Sequence, residues 1–98
     1  MNSEFAGQVV IVAGGTGGLG RAVSLGFLAE GAIVIVTYRG QAEFDALAKA
    51  AGASTSRLHG ERVDVTDEIE VKRLITGVVA KHGRLDALVN TVGGYTAA

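Results

Sequence analysis

The sequence predicts an α/β fold: a doubly wound parallel sheet of four strands in the order 3-2-1-4 with three helices, a half-domain. Three observations predict it. Apolar runs alternate strictly with amphipathic stretches as β-α-β-α-β-α-β, and that alternation calls for parallel strands joined by right-handed crossovers. The first two apolar runs are continuously β-branched and do not alternate with polar residues, so both of their faces should be covered. Two glycine clusters, one at residues 14–20 and one at Gly93-Gly94, follow the first and fourth strand-like runs. Those are the two strands that flank the point where a doubly wound sheet reverses direction.

Each element has its own signal. Residues 8–13 read Gln-Val-Val-Ile-Val-Ala, a buried strand. A helix follows over about residues 18–30, with Leu19, Ala22, Val23, Phe27 and Leu28 spaced as one apolar stripe and Gly31 placed to end it. Residues 32–38 repeat the first pattern, with Ile33-Val34-Ile35-Val36 as their core. Residues 43–51 form a second helix, with Phe44, Leu47 and Ala48 on one side and Gly52 as its stop. The third strand, residues 58–65, is anchored by Val63 and Val65. Asp67 opens the third helix, and Glu70 stands at capping-box spacing from it. Val71, Leu74, Ile75, Val78 and Val79 then follow helical periodicity. Lys81 and His82 place positive charge in the last turn, where the helix dipole favours it, and Gly83 terminates the helix. Residues 85–90 make the fourth strand. In this arrangement the first two helices cover one face of the sheet and the third helix covers the other.

Composition excludes several function classes. The 98 residues carry a net charge of −1 with acids and bases interspersed, so nucleic acid is not an expected partner. There is no cysteine, which removes disulfides and thiolate metal sites. His59 and His82, far apart in the sequence and without clustered carboxylates, read as surface or cap side chains, and no metal site is expected. The opening Asn2-Ser3-Glu4 lacks a basic and apolar leader, and no apolar run reaches the length of a bilayer span. The expectation is a cytoplasmic chain without membrane contact. Glycine, at 15 residues, is about twice its ordinary share of ~7%, while proline is absent. Such glycines, set between apolar runs, mark sharp turns or close approach of backbone to something else.

The first cluster contains two overlapping patterns. Gly15, Gly17 and Gly20 fit G-x-G-x-x-G, and Gly14, Gly18 and Gly20 fit G-x-x-x-G-x-G, with Thr16 and Leu19 between them. The loop follows a buried strand and opens a helix, which is the context in which it binds a dinucleotide. Its bare backbone lets a pyrophosphate approach the unpaired N–H groups at the helix start. A glycine-rich turn without ligand is the plain alternative. The end of the second strand selects the cofactor. An acid there would take a ribose hydroxyl, whereas this chain has Tyr38-Arg39, and an arginine at this place suits a 2′-phosphate. The expected cofactor is therefore NADP(H) rather than NAD(H). Asp64, at the end of the third strand, is a candidate acceptor for the adenine amino group, or else only a starter for the next helix.

At this point the chain resembles the short-chain dehydrogenase/reductase family, whose sheet is Rossmann-type. Ala13-Gly14-x-x-x-Gly18-x-Gly20 is similar to its Thr-Gly-x-x-x-Gly-x-Gly motif, with Ala13 in place of threonine. Asp64-Val65 is similar to its adenine-binding Asp-Val pair. Leu88-Val89-Asn90-Thr91-Val92-Gly93 resembles its Leu-Val-Asn-Asn-Ala-Gly segment, changed at Thr91 and Val92. The resemblance implies that Asn90 steadies the central sheet and that Val92 and Gly93 lie beside the cofactor. It also implies an oxidoreductase that passes hydride between nicotinamide and a small carbonyl or alcohol substrate. The family's serine and Tyr-x-x-x-Lys fall beyond these residues, and Tyr95 has no lysine four positions on. No catalytic residue is assigned, and the 98 residues alone are expected to be inactive. Two other readings stay open: a non-catalytic dinucleotide-binding or sensor module, and a truncated scaffold. Because the fourth strand is an apolar edge, self-association into a homo-oligomer through that edge or an open sheet face is expected.

Overall fold

The computed structural model describes residues 5–91. The chain runs β1 (Val9–Ala13), α1 (Gly18–Ala29), β2 (Ile33–Tyr38), α2 (Gln41–Ala51), a 3₁₀ turn (Gly52–Arg57), β3 (Leu58–Arg62), α3 (Glu68–His82) and β4 (Ala87–Asn90). The strands form one parallel sheet in the order β3-β2-β1-β4. The register aligns Val10 with Val34 and Ala87, and Tyr38 with Arg62. The expected topology is therefore present, with the reversal between β1 and β4.

The β-branched runs form central strands because both of their faces are sealed. Val10, Val12, Val34 and Val36 pack on one side with Leu28 from α1 and Leu47 from α2. Val9, Ile11 and Ile35 pack on the other with Leu74 and Val78 from α3. Every residue of β1 is buried. Burial of each such aliphatic side chain is worth about 1.5–3 kcal/mol, which outweighs the small helix or strand preference of any one residue. β4 lies at the sheet edge and is less covered, with Leu88 50% exposed. No helix among the described residues is long and apolar enough to cross a membrane.

The structure departs from the sequence reading in identifiable places. Leu19, expected on the buried stripe of α1, is 68% exposed, and Ala22 is exposed as well. The buried face of α1 is instead the stripe of Gly20, Ser24 and Leu28. β3 ends at Arg62 instead of running to Val65. Asp64 accepts from the N–H of Thr66 at 2.9 Å and from its hydroxyl at 2.6 Å, and this local turn diverts the chain toward α3. Asp64 therefore lies in the β3–α3 link, not on a strand. β4 begins at Ala87, after Asp86 has secured Val9 by accepting its N–H at 2.7 Å and donating its own to the Val9 carbonyl at 2.8 Å. The 3₁₀ turn was not anticipated. Its Arg57 reaches back to the carbonyls of Leu28 at 2.7 Å and Ala32 at 3.2 Å, capping the C-terminal end of α1.

Candidate functional site

The site grows out of the exit from β1. Gly14 takes a positive φ of 75° and turns the chain sharply. Its carbonyl accepts the N–H of Gly17 at 3.1 Å, and α1 starts one residue later. The other loop glycines divide by what surrounds them. A Cβ on Gly15 would stand 2.6 Å from Val36 Cβ and 2.9 Å from Ser24 Oγ. A Cβ on Gly20 would run into the Gly14 carbonyl and stand 2.7 Å from Thr91 Oγ1. These two glycines are demanded by packing. Gly18 has nothing within 4 Å of a Cβ, and the nearest atom to one on Gly17 is the Gly14 carbonyl oxygen at 3.7 Å. Both are exposed. Glycine is an ordinary N-cap residue, which accounts for Gly17, whereas within a helix it costs up to about 1 kcal/mol relative to alanine, and no packing among the described residues requires it at Gly18.

Three hydroxyls hold the loop, each from a different element. Thr37, at the buried end of β2, accepts the Gly14 N–H at 2.8 Å. Ser24, fully buried in α1, donates to the Gly15 carbonyl at 3.1 Å. Thr91, just after β4, donates to the Ala13 carbonyl at 2.6 Å, with the Gly14 carbonyl at 3.2 Å. Each bond contributes about 0.5–1.5 kcal/mol net, and stranding a buried donor costs more. Sequence reasoning missed all three. The available signal was a hydroxyl residue at the end of an otherwise apolar run (Thr37) and another on a buried helix stripe (Ser24), since buried polar groups require partners.

The start of α1 is left open. Gly17 at its N-cap position supplies no side-chain bond, and its first turn contains no acid. Among the described residues, the N–H groups of Gly18, Leu19 and Gly20 have no acceptor. They carry the positive end of the helix dipole. Beside the loop lies a cleft of about 270 Å³. Gly14, Thr16 and Gly17 form one wall, Tyr38 and Arg39 from the end of β2 another, and Asp64 and Val65 from the β3–α3 link a third. Seven of the residues singled out from the sequence thus meet in one cavity. Gly15 and Gly20 are buried within the loop, and Gly18 and Leu19 are exposed at the start of α1; none of the four lines the cavity. Thr91 lines it as well, although the sequence reading gave it no role.

The remaining site residues are also defined. The Tyr38 ring stacks on Phe44 with centroids 5.0 Å apart, and its hydroxyl donates to Gln41 Oε1 at 3.3 Å. Arg39 is exposed at the rim. Hydrogen bonds from the Thr66 hydroxyl and N–H hold the Asp64 carboxyl below the usual carboxylate range, with a smaller contribution from the charge of Arg39. Asp64 is thus ionised and already anchors the local turn through one oxygen. Asn90 lines a different cavity of about 100 Å³, on the α3 face with Ile11 and Leu74. Val92 and Gly93 lie outside the described residues. His59 and His82, distant in sequence, come together at the far end of α3 with ring centroids 5.5 Å apart. Among the described residues no three His, Cys, Asp or Glu side chains gather as a metal site.

Comparison with known proteins gives a consistent picture. The sequence profile of the short chain dehydrogenases matches residues 8–98. A 3-oxoacyl-[acyl-carrier-protein] reductase of Thermotoga maritima is 36% identical over 90 residues, covering 92% of this chain and 37% of the relative. A short-chain dehydrogenase/reductase from Burkholderia xenovorans superposes with a TM-score of 0.84 at 37% identity, over 96% of this chain and 39% of that one. A metagenomic short-chain oxidoreductase crystallised with NADP superposes with a TM-score of 0.82 at 31% identity, over 91% of this chain and 40% of that one. The chain spans under half the length of the proteins that it matches. Its open glycine loop at the sheet reversal, its strand order and these likenesses together place the chain in the short-chain dehydrogenase family.

Proposed function

We propose that residues 14–20, Tyr38, Arg39, Asp64, Val65, Asn90, Val92 and Gly93 serve an NADP(H) site, and that the protein is an oxidoreductase acting on a small carbonyl or alcohol. The single observation that carries this reading is a cleft lined by both Gly17, the N-cap of an acceptor-free helix start, and Arg39. The donor set fits the group. The N–H groups of Gly18, Leu19 and Gly20 suit a diphosphate. The cleft between Tyr38 and Asp64-Val65 suits an adenosine. The Arg39 guanidinium, free of any ion pair among the described residues, suits a 2′-phosphate. The bound cofactor supplies or accepts the hydride, while the protein supplies position and electrostatics.

The chain's own residues would act by binding and orientation. Thr37, Ser24 and Thr91 hold the loop rigid, so little order has to be created on binding. Asp64, kept ionised, would offer an acceptor to the adenine amino group. Asn90, next to Thr91, would keep the end of β4 in register with Ala13. The acid that speaks for NAD(H) instead is Glu43, which also lines the cleft from the first turn of α2. Titration with NADPH and NADH, followed through nicotinamide fluorescence, decides between them. The expected result is saturable binding of both, tighter for NADPH, with the preference lost in Arg39→Ala. Equal affinities for the two in the unaltered protein would rule out the NADP(H) assignment, and no binding of either would rule out the site.

A further inference from the structure

We infer that Arg62 is a second specificity-determining residue, forming with Arg39 a paired-guanidinium seat for a phosphomonoester on the adenosine ribose. The inference rests on the NADP(H) reading and adds a residue to it. β3 pairs with β2 so that Arg62 stands opposite Tyr38, the neighbour of Arg39. Its Nε donates to the Arg39 carbonyl at 3.2 Å. That bond ties the end of β3 to the backbone from which the Arg39 side chain springs. It leaves the two terminal nitrogens of Arg62 without a partner among the described residues.

There is space for an anion between the two arginines. A cavity of about 260 Å³ lies there, bounded by Tyr38, Arg39, Arg62, Val63, Asp64 and Glu70. It shares Tyr38, Arg39, Val63 and Asp64 with the main cleft, so the two adjoin. Each of the two acids at its rim has one oxygen taken by a hydrogen bond. Asp64 accepts from Thr66, and Glu70 Oε1 accepts the Asp64 N–H at 3.2 Å. Neither forms an ion pair with Arg39 or Arg62, since Arg84–Asp86 is the sole ion pair among the described residues. Two guanidinium groups with spare donors suit the three oxygens of a phosphomonoester, and a lone ribose hydroxyl offers them little.

The test measures NADPH and NADH affinity in the unaltered protein, Arg62→Ala, Arg62→Lys and Arg39→Ala. Arg62→Ala should weaken NADPH about ten- to a hundredfold, the range for a hydrogen bond to a charged group, and leave NADH unchanged. Arg62→Lys should keep part of the preference, because it retains the charge and loses the fork. A purely structural role for Arg62 would weaken both cofactors equally, and that result overturns the inference. So does an unchanged NADPH/NADH ratio in Arg62→Ala when Arg39→Ala abolishes the preference. That second pattern removes Arg62 alone and leaves the NADP(H) site standing. Failure of the unaltered protein to prefer NADPH removes both.

Discussion

The N-terminal ends of α1 and α3 are opposites. At α3, Asp67 accepts the N–H groups of Ile69 at 2.9 Å and Glu70 at 3.4 Å, and Glu68 and Glu70 put negative charge in the first turn. Glu70 does not return the bond to Asp67 as in a reciprocal capping box; it takes the Asp64 N–H instead. At α1 the N-cap is a glycine without a side-chain bond, and the first turn has no acid. Both helices pack well further along, and the other end of α1 is satisfied by Arg57 from the 3₁₀ turn. α2 also begins at a glycine without a side-chain bond, but Glu43 lies in its first turn, so of the three helices only α1 starts with neither cap nor acid. A helix start with neither cap nor acid, standing beside a cleft, leaves its N–H groups and dipole for an anion from outside.

Supplying α1 with what α3 has should break this contrast. In Gly18→Asp the new side chain enters open space, so the fold should hold and the helix should gain about 0.3–1 kcal/mol from the dipole. Dinucleotide affinity should fall about a hundredfold or more, since unit charges about 4 Å apart repel by about 4 kcal/mol at an effective dielectric of about 20. Calorimetric titration beside a thermal melt reads both effects, and undiminished affinity would refute the anion role of this helix start. The converse change, Asp67→Ala, should cost about 1 kcal/mol of stability and leave dinucleotide affinity as it was. A parallel loss of affinity would show that the two helix starts do not have separate tasks.

The smallest effect concerns the far end of α3. Burial, with help from the nearby charges of Lys81 and His82, pushes the His59 pKa below its ordinary value, and Glu61 opposes the shift. Arg73 lines the same pocket. A depressed histidine pKa favours the neutral folded form. The stability it contributes is complete above about pH 6.5, the ordinary histidine value, and is lost as pH falls through the lowered folded value. Denaturant midpoints should therefore decline between neutral pH and about pH 5, and His59→Gln should flatten that decline. Dinucleotide affinity, set at the opposite end of the sheet, should not follow it.

Much of the site was legible because its chemistry is written in glycine. The residue type at 14, 15, 17, 18 and 20, placed after a β-branched run, announces backbone that must turn or be approached. Yet the two overlapping patterns gave no means of telling one glycine from another. The tertiary structure assigned Gly14 to the turn, Gly15 and Gly20 to packing against Val36, Ser24 and Thr91, and Gly17 and Gly18 to open space. The hydroxyl struts were illegible for a related reason. Thr37, Ser24 and Thr91 are separated by 13 to 67 positions from one another, and a hydrogen-bond partner far along the chain leaves no local periodicity. Leu19 misled because the spacing of a stripe reports the direction of a side chain and not whether a neighbour lies beneath it.

The sequence by itself determined the alternation of elements, the burial of both faces of β1 and β2, and the glycine-lined start of α1. All of these depend on the spacing of apolar residues and on backbone freedom, which are local properties. The tertiary structure alone decided the meeting of His59 with His82, the reach of Arg57 to the end of α1, the early end of β3, and the placement of Arg62 against the Arg39 backbone. These are contacts between residues distant along the chain. Only the register of neighbouring strands and the packing of helices on them bring such groups within reach of each other.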